Sequence, residues 1–206
     1  MGLRKKRLPL DVSSAMTSGR LDRGCPTSPA DRSVTRLYRD GKLLAGDDTW
    51  AGQLLVENAP AAKASYRLEM SLQRSLMQLA TRVDHVWTFT SQDTGGDKAV
   101  LPLRSVEFRP DVDANNAVER KTVTHLPFAV VNQPGAKVPG IRSVAVQVSG
   151  DGGNTWQRAI VVRRADGTYT AVFKTPAAKV MSLRSVVVDR DGNTATQTVI
   201  NAYRNR

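Results

Sequence analysis

The chain has 206 residues, which is enough for one large domain or two small ones with a buried core. Thirty Lys and Arg residues against nineteen Asp and Glu residues give a formal net charge of +11, a balance that attracts polyanions without specificity. The single cysteine, Cys25, excludes an intrachain disulfide and a cysteine-based zinc site, and no apolar run is long enough to span a membrane. The basic residues neither cluster along one helix nor alternate with aromatic residues, so no specific nucleic-acid partner is predicted.

Residues 1–37 scatter Ser, Thr, Pro, Gly and Arg without apolar periodicity, and they hold eight basic residues against three acidic ones. Such a composition cannot offset the entropy lost on ordering, which predicts a disordered basic leader. The apolar run that follows Lys5, Lys6 and Arg7 is interrupted by Pro9 and Asp11, so no signal peptide is predicted.

From about residue 50 the sequence alternates with a period of two, which is typical of strands. In SYRLEMSL, for example, Tyr66, Leu68 and Met70 fall on one face. This pattern predicts strands at residues 53–56, 65–73, 82–90, 100–109, 125–131, 142–149, 155–163, 168–174, 181–189 and 195–203. Residues 71–81 also suit a helical face, but we expect a strand followed by an irregular loop. The fold class is therefore all-β.

The predicted strands divide into two groups. Seven of them lie in residues 97–206 and match an immunoglobulin-like or fibronectin-like β-sandwich. Residues 38–96 hold too few strands for a complete sandwich, so they form a partial β-module. Its strands either extend the C-terminal sheet or end a second domain whose beginning is absent. An open sheet edge in residues 50–95 predicts self-association and early hydrogen exchange there, while the C-terminal sandwich folds alone.

The stretch SGDGGNTW, residues 149–156, resembles a ligand site but lies between two predicted strands, where a hairpin turn is expected. A phosphate loop would need a following helix, and an EF-hand calcium loop would need a longer acidic series. The spacing of Ser149, Asp151, Gly153, Thr155 and Trp156 is similar to the Asp-box hairpins of sialidases and bacterial secreted β-proteins. That resemblance implies a structural turn in which Asp151 accepts backbone hydrogen bonds and Trp156 is buried.

A second structural turn is predicted where the strand 181–189 ends. Asp189, Asp191, Gly192 and Asn193 combine carboxylate or amide side chains, which bond nearby backbone, with a glycine that allows positive φ.

The sequence contains no complete catalytic or metal-binding motif. His85 and His125 are the only histidines; His85 lies alone on an apolar strand face and His125 precedes Leu-Pro at the start of a strand. No metal site and no cofactor are therefore predicted. Asp93, Thr94 and Gly95 match a tripeptide found around catalytic aspartates, but they lie in a run of small polar residues that favours a turn. No serine has the glycine-rich surroundings of a nucleophile elbow. A pair of glycosidase carboxylates is neither indicated nor excluded.

Four stretches carry a resemblance to a known family: LATRVDHVWTFTS (79–91), LPLRSVEF (101–108), VQVSGDGGNTWQRA (146–159) and MSLRSVVVDRDGNTATQTVINAY (181–203). In this order they resemble the C-terminal region of secreted subtilisin-like serine peptidases of actinobacteria. The resemblance covers residues 40–206, and the peptidase motifs with the catalytic histidine and serine have no counterpart here. It therefore implies an extracellular, non-catalytic accessory β-sandwich, a truncated homologue without catalytic residues that stabilises, spaces or targets a peptidase domain.

The alternative is an independent module that binds carbohydrate or cell-envelope polymers. Exposed aromatic side chains are the usual platforms for such ligands, and Trp50 and Tyr203 are the candidates. A row of exposed aromatics would favour this alternative, whereas buried aromatics would favour a spacer.

Overall fold

A computed structural model describes residues 7–11, 32–48, 53–57, 60–93 and 100–206 of the chain. All regular structure in these residues is β-strand. The fifteen strands are β1 (Arg7–Asp11), β2 (Arg32–Arg39), β3 (Lys42–Asp47), β4 (Gln53–Glu57), β5 (Ala64–Gln73), β6 (Arg82–Ser91), β7 (Arg104–Phe108), β8 (Ala117–Val118), β9 (Val123–Asn132), β10 (Ile141–Ser149), β11 (Gln157–Arg158), β12 (Ile160–Arg163), β13 (Tyr169–Lys174), β14 (Val180–Asp189) and β15 (Thr194–Asn205). The predicted all-β class is confirmed.

Two sheets form the sandwich. The large sheet has nine strands in the order β11-β10-β14-β15-β6-β5-β2-β3, with β8 beside β15, and the small sheet has the order β12-β13-β9-β7. A separate two-stranded ribbon pairs β1 with β4. Alternating side chains of both sheets meet in one core, whose largest members are Trp87, Tyr203 and Phe128. This period-two burial is the reason that the sequence alternation predicted the strands.

The strands from β7 to β15 follow the immunoglobulin constant-type order. In that order strands A, B, E and D make one sheet and strands C, F and G the other. Here β7, β9, β13 and β12 form the first sheet, whereas β10, β14 and β15 form the second. The predicted immunoglobulin-like sandwich is confirmed in this strand order.

The strands before residue 96 extend the C-terminal sheet, which was one of the two alternatives. β6 pairs antiparallel with the last strand, β15, so that Val83 lies opposite Val199 and Trp87 opposite Ala195. The hydrogen-bonded sheet is thus continuous from β10 to β3 across the boundary drawn at residue 96.

Two described strands overlap the segment 1–37 that was predicted to be a disordered leader. Residues 32–37 belong to β2, and residues 7–11 form β1. The inward side chains of this part of β2 are Ser33, Thr35 and Leu37. Two of these three carry hydroxyls, so the strand shows no apolar alternation in sequence. The other residues of the predicted leader, including Cys25, lie outside the described residues.

One predicted strand divides into two. Residues 155–163 contain β11, which pairs with β10 in the large sheet, and β12, which pairs with β13 in the small sheet. Ala159 lies between them and donates its backbone N–H to the carbonyl of Val146 at 2.9 Å. Residues 159–162 form a continuous apolar run across the start of β12, so the sequence pattern alone could not reveal the change of sheet. By contrast, residues 71–81 are as expected: β5 ends at Gln73, and turns and bends follow.

Strands β5 and β6, which contain the two runs expected to form an open edge, do not present one. β5 pairs with β2 and β6, and β6 pairs with β5 and β15, so both are internal strands. The edge of this part of the large sheet is β3. Self-association stays a prediction, but its expected route through β5 and β6 has no basis in this pairing.

Candidate functional site

The stretch 149–156 forms a hairpin turn between β10 and β11. The Asp151 carboxylate accepts the Thr155 backbone N–H at 3.0 Å and the Thr155 hydroxyl at 2.5 Å. The Ser149 hydroxyl donates to Asp151 Oδ1 at 2.6 Å and accepts the Gly153 N–H at 2.9 Å. Hydrogen bonds from Ser149 and Thr155 hold the pKa of Asp151 well below its usual range. The carboxylate thus stabilises the turn as predicted, and the assignment to the Asp-box motif stays a prediction.

Trp156 lies on the outer face of the large sheet, not in the core. Its indole Nε1 donates to the Gly153 carbonyl at 2.9 Å, and the Arg184 guanidinium carbon lies 4.1 Å from the ring centroid. Arg184 points outward because its neighbour Leu183 points into the core. Trp156 is therefore half-buried beneath a cation, which corrects the prediction that it is buried.

The predicted turn at 189–193 is held by one buried carboxylate. Asp189 Oδ1 accepts the backbone N–H groups of Asp191 and Asn193, each at 2.9 Å, and Oδ2 accepts the Asn193 side-chain amide at 2.8 Å. Gly192 supplies the positive φ, 84°. The turn joins β14 to β15 in the middle of the large sheet, so its role is structural.

The two histidines lie in different environments. His85 is buried on the inner face of β6 and stacks on Trp87, with the ring centroids 4.9 Å apart. Burial lowers the pKa of His85 to about 4, so its imidazole is neutral near pH 7. His125 is exposed on β9. Among the described residues, no three His, Cys, Asp or Glu side chains come together as metal ligands.

Asp93 follows β6 and donates its backbone N–H to the Ala61 carbonyl at 3.1 Å. Thr94, Gly95 and Asp97 lie outside the described residues, as does the candidate platform Trp50. Tyr203, the other candidate platform, is buried in the core, so it cannot stack on a ligand. Its inward position on β15 corrects that expectation.

A groove crosses the outer face of the large sheet and has a volume of about 460 Å³. One row of directly opposite residues runs along it through Arg184, Thr198, Asp84 and Ser71. Arg184 Nε donates to Thr198 Oγ1 at 3.2 Å, and Ser71 Oγ donates to Asp84 Oδ1 at 2.7 Å.

The next row of the groove contains Thr196, Val86, Glu69 and Arg36. Arg36 pairs with Asp48, and this hydrogen bond raises the pKa of Arg36 and lowers that of Asp48. The groove therefore offers hydroxyls, fixed charges of both signs and an apolar floor.

The outer face of the small sheet carries exposed apolar side chains beside polar ones such as His125 and Lys174. Ile160 and Val162 on the edge strand β12 are 70% and 50% exposed. Across the sheet Ile160 lies opposite Val172, which lies opposite His125. Pro127 is exposed in the neighbouring row. A contiguous apolar patch of this kind often marks a protein-binding surface.

Neither surface was identified from the sequence. The groove residues come from five strands, β2, β5, β6, β14 and β15, and β6 and β14 are about a hundred residues apart in the chain. The only local signal is that most of these residues occupy the outward positions of alternating strands. The apolar patch was hidden because Ile160 and Val162 resemble core residues in a strand such as AIVVR.

None of the described residues forms a helix with the length and hydrophobicity needed to cross a bilayer. The fold defines the chain as an all-β sandwich protein with immunoglobulin-type strand order.

No family model and no curated protein match the chain. Among solved structures, the chain is similar to one described as the structure of amphioxus IgVJ-C2 molecule, at 10% sequence identity and with a TM-score of 0.21. That match covers 84% of this chain and 90% of the other. A TM-score of this size does not establish a shared fold. The fold is defined by the order of the strands in the two sheets.

Proposed function

We propose that the chain is a non-catalytic accessory β-sandwich, of the kind that follows the peptidase domain in secreted subtilisin-like serine peptidases of actinobacteria. In this role it docks on a peptidase domain and stabilises or targets it, outside the cell. The four sequence stretches given above support the family. The single observation that carries docking is the exposed apolar face of the small sheet around Ile160, Val162 and Val172.

Docking through this face is favoured by its chemistry. Burying exposed Ile and Val side chains contributes a favourable free energy of about 25 cal/mol per Å² of apolar surface. Contact with a complementary protein surface is therefore favoured. Interfaces of this kind are more apolar at their centre than the average protein surface. The strands that carry this face are held in place, because β13 pairs with both β12 and β9.

The test uses the purified chain and the catalytic domain of an actinobacterial subtilisin-like peptidase that lacks its own C-terminal region. We expect the chain to bind this domain in isothermal titration calorimetry and to lengthen its half-life on heating. The variant Ile160→Ser/Val162→Ser should lose both effects, whereas Leu43→Ser, at an exposed leucine of the large sheet, should keep them. No binding by the wild-type chain, or equal binding by the first variant, contradicts the proposal.

The purified chain should also fail to cleave casein. Cleavage that survives repurification and disappears in Asp93→Ala would contradict a non-catalytic role.

The groove on the large sheet favours a second candidate, an independent module for carbohydrate or cell-envelope polymers. Hydroxyl and charged side chains such as Thr198, Asp84 and Arg184 suit the hydroxyl and charged groups of such polymers. We expect the chain to co-sediment with actinobacterial cell walls, and Thr196→Trp, which fills the groove, to prevent it. Retention of co-sedimentation by Thr196→Trp would exclude the groove as the site.

A further inference from the structure

The loop between β5 and β6 holds two apolar side chains in solvent. Leu76 is 82% exposed and Met77 is 43% exposed, and they are consecutive residues at the tip of a turn. The unfavourable exposure of two neighbouring large apolar side chains suggests that they contact something outside the chain.

Backbone hydrogen bonds fix this loop against the rest of the fold. Met77 donates its N–H to the Arg74 carbonyl at 3.2 Å, which closes the turn. Ala80 donates to the Asn201 carbonyl at 2.8 Å, and the Asn201 side-chain amide donates to Thr81 Oγ1 at 3.1 Å. The C-terminal strand β15 thus supports the loop, and the apolar tip projects from an ordered base.

The end of the sandwich that carries this tip is basic. Arg204 donates a side-chain hydrogen bond to Gln78 within the loop. Lys179 is exposed immediately before β14, and its backbone carbonyl accepts the Asn205 N–H at 2.9 Å. Arg120 and Lys121 are exposed beside the C-terminus, where the Arg120 N–H bonds the Arg206 carbonyl at 2.9 Å.

Acidic groups offset only part of this charge. Asp113 pairs with Arg206 at 3.0 Å, Asp84 pairs with Arg82 at 2.9 Å, and Glu119 is exposed. Arg120, Lys121, Lys179 and Arg204 therefore leave the surface around the loop positive.

We propose that this end of the sandwich binds the surface of an anionic lipid bilayer. Leu76 and Met77 enter the boundary between headgroups and acyl chains, while Arg120, Lys121, Lys179 and Arg204 contact anionic headgroups. Two apolar side chains at a protruding tip are too few for a stable protein interface, but they are sufficient as a shallow membrane anchor when basic residues surround them. A purely polyanionic partner such as nucleic acid would gain nothing from the exposed leucine.

This proposal goes beyond the accessory role and does not depend on it. The loop and the apolar patch of the small sheet share no residue, so loss of one binding activity leaves the other measurable.

The experiment measures co-sedimentation of the full chain with vesicles of phosphatidylcholine alone or mixed with phosphatidylglycerol. We expect binding to the mixed vesicles, weakened by salt, and little binding to phosphatidylcholine alone. Leu76→Ser/Met77→Ser should weaken binding about tenfold or more. Lys179→Glu should weaken it about fivefold or more, since one basic residue near an anionic membrane contributes on this scale.

Matched controls lie at the opposite end of the large sheet. Leu43→Ser removes a leucine that is 59% exposed, and Lys42→Glu reverses an exposed charge beside it; both should bind like wild type. In Leu76→Trp, the tryptophan fluorescence should shift to the blue when mixed vesicles are added.

Three outcomes would overturn the proposal. The first is an absence of binding to mixed vesicles by the wild-type chain. The second is equal weakening by Leu43→Ser and by Leu76→Ser/Met77→Ser. The third is vesicle binding that survives Leu76→Ser/Met77→Ser unchanged, which would indicate a general attraction of this basic chain to polyanions. Circular dichroism of each variant separates loss of binding from loss of fold.

Discussion

The indole Nε1 of Trp87 donates a hydrogen bond to the backbone carbonyl of Arg104 at 2.7 Å, and the bond is buried. Trp87 belongs to β6 of the large sheet, whereas Arg104 begins β7 of the small sheet. A second link runs from the Val106 N–H to Gln197 Oε1 at 2.9 Å. The first bond joins β6, a strand before residue 96, to the small sheet of the immunoglobulin-type sandwich. The second bond joins β7 to β15 and so links the two sheets within that sandwich.

Replacement of Trp87 tests this link. In Trp87→Phe the Arg104 carbonyl stays buried without its donor and a small cavity forms, so we expect a loss of about 2 to 4 kcal/mol in the free energy of unfolding. Urea denaturation measures it. Trp156→Phe is the control, and it should cost less because Trp156 is half-buried on the outer face. Equal losses in the two variants would contradict the core role of Trp87.

The pairing of β6 with β15 predicts one cooperative unit. Amide protons of residues 64–73 and 82–91 should exchange as slowly as those of 180–205, because all three segments are internal strands of the same sheet. Native-state hydrogen exchange measures this protection. Early exchange confined to 64–91 would instead support the original expectation of two separate halves.

Local periodicity predicted the strands but not their partners. Strands such as β5 and β6 could be predicted because their buried apolar residues alternate with mostly polar ones. These residues are Tyr66, Leu68 and Met70 in β5, and Val83, Trp87 and Phe89 in β6. β2 was missed because Ser33 and Thr35 face inward, and hydroxyl side chains carry no apolar signal. That β15 lies beside β6 is a non-local choice, which depends on how two distant faces fit and leaves no trace in either segment alone.

The turn chemistry was predictable in part. Asp151 and Asp189 accept the short-range backbone hydrogen bonds that Asp and Gly in such spacing predict. The position of Trp156 could not be predicted from these local patterns, because it depends on Arg184. That residue is distant in sequence and covers the indole ring from another strand.

The cation over Trp156 should control the environment of that indole. In Arg184→Ala the ring loses its cover, so we expect its fluorescence to shift to the red and to be quenched more strongly by acrylamide. Measurement in a Trp50→Phe/Trp87→Phe background leaves Trp156 as the sole indole. Arg158→Ala, which removes an exposed arginine of the neighbouring strand, is the control. An unchanged quenching constant in Arg184→Ala would show that the stacking is absent in solution.

The buried carboxylate of Asp189 should be important for stability. Asp189→Ala leaves two backbone N–H groups and the Asn193 amide without their acceptor, so we expect a loss of about 2 to 3 kcal/mol. Asp189→Asn keeps an acceptor oxygen and should lose less. Thermal or urea denaturation compares the two. If Asp189→Ala unfolds at the same midpoint as wild type, the turn does not depend on this side chain.

His85 should make the fold sensitive to mild acid. Burial lowers the pKa of His85 to about 4 from 6.5, so between these values the unfolded chain binds a proton that the folded chain does not. Stability attributable to this group is therefore complete above pH 6.5 and is lost as the pH falls toward 4. The full loss is about 3 kcal/mol, since each pKa unit corresponds to about 1.4 kcal/mol.

Urea denaturation at several pH values measures how the free energy of unfolding changes with pH. In His85→Phe, whose ring can still stack on Trp87, the loss over this window should disappear, whereas the exposed-site variant His125→Phe should keep it. A wild-type chain whose stability is constant from pH 6.5 to 4 would contradict the buried, neutral state of His85.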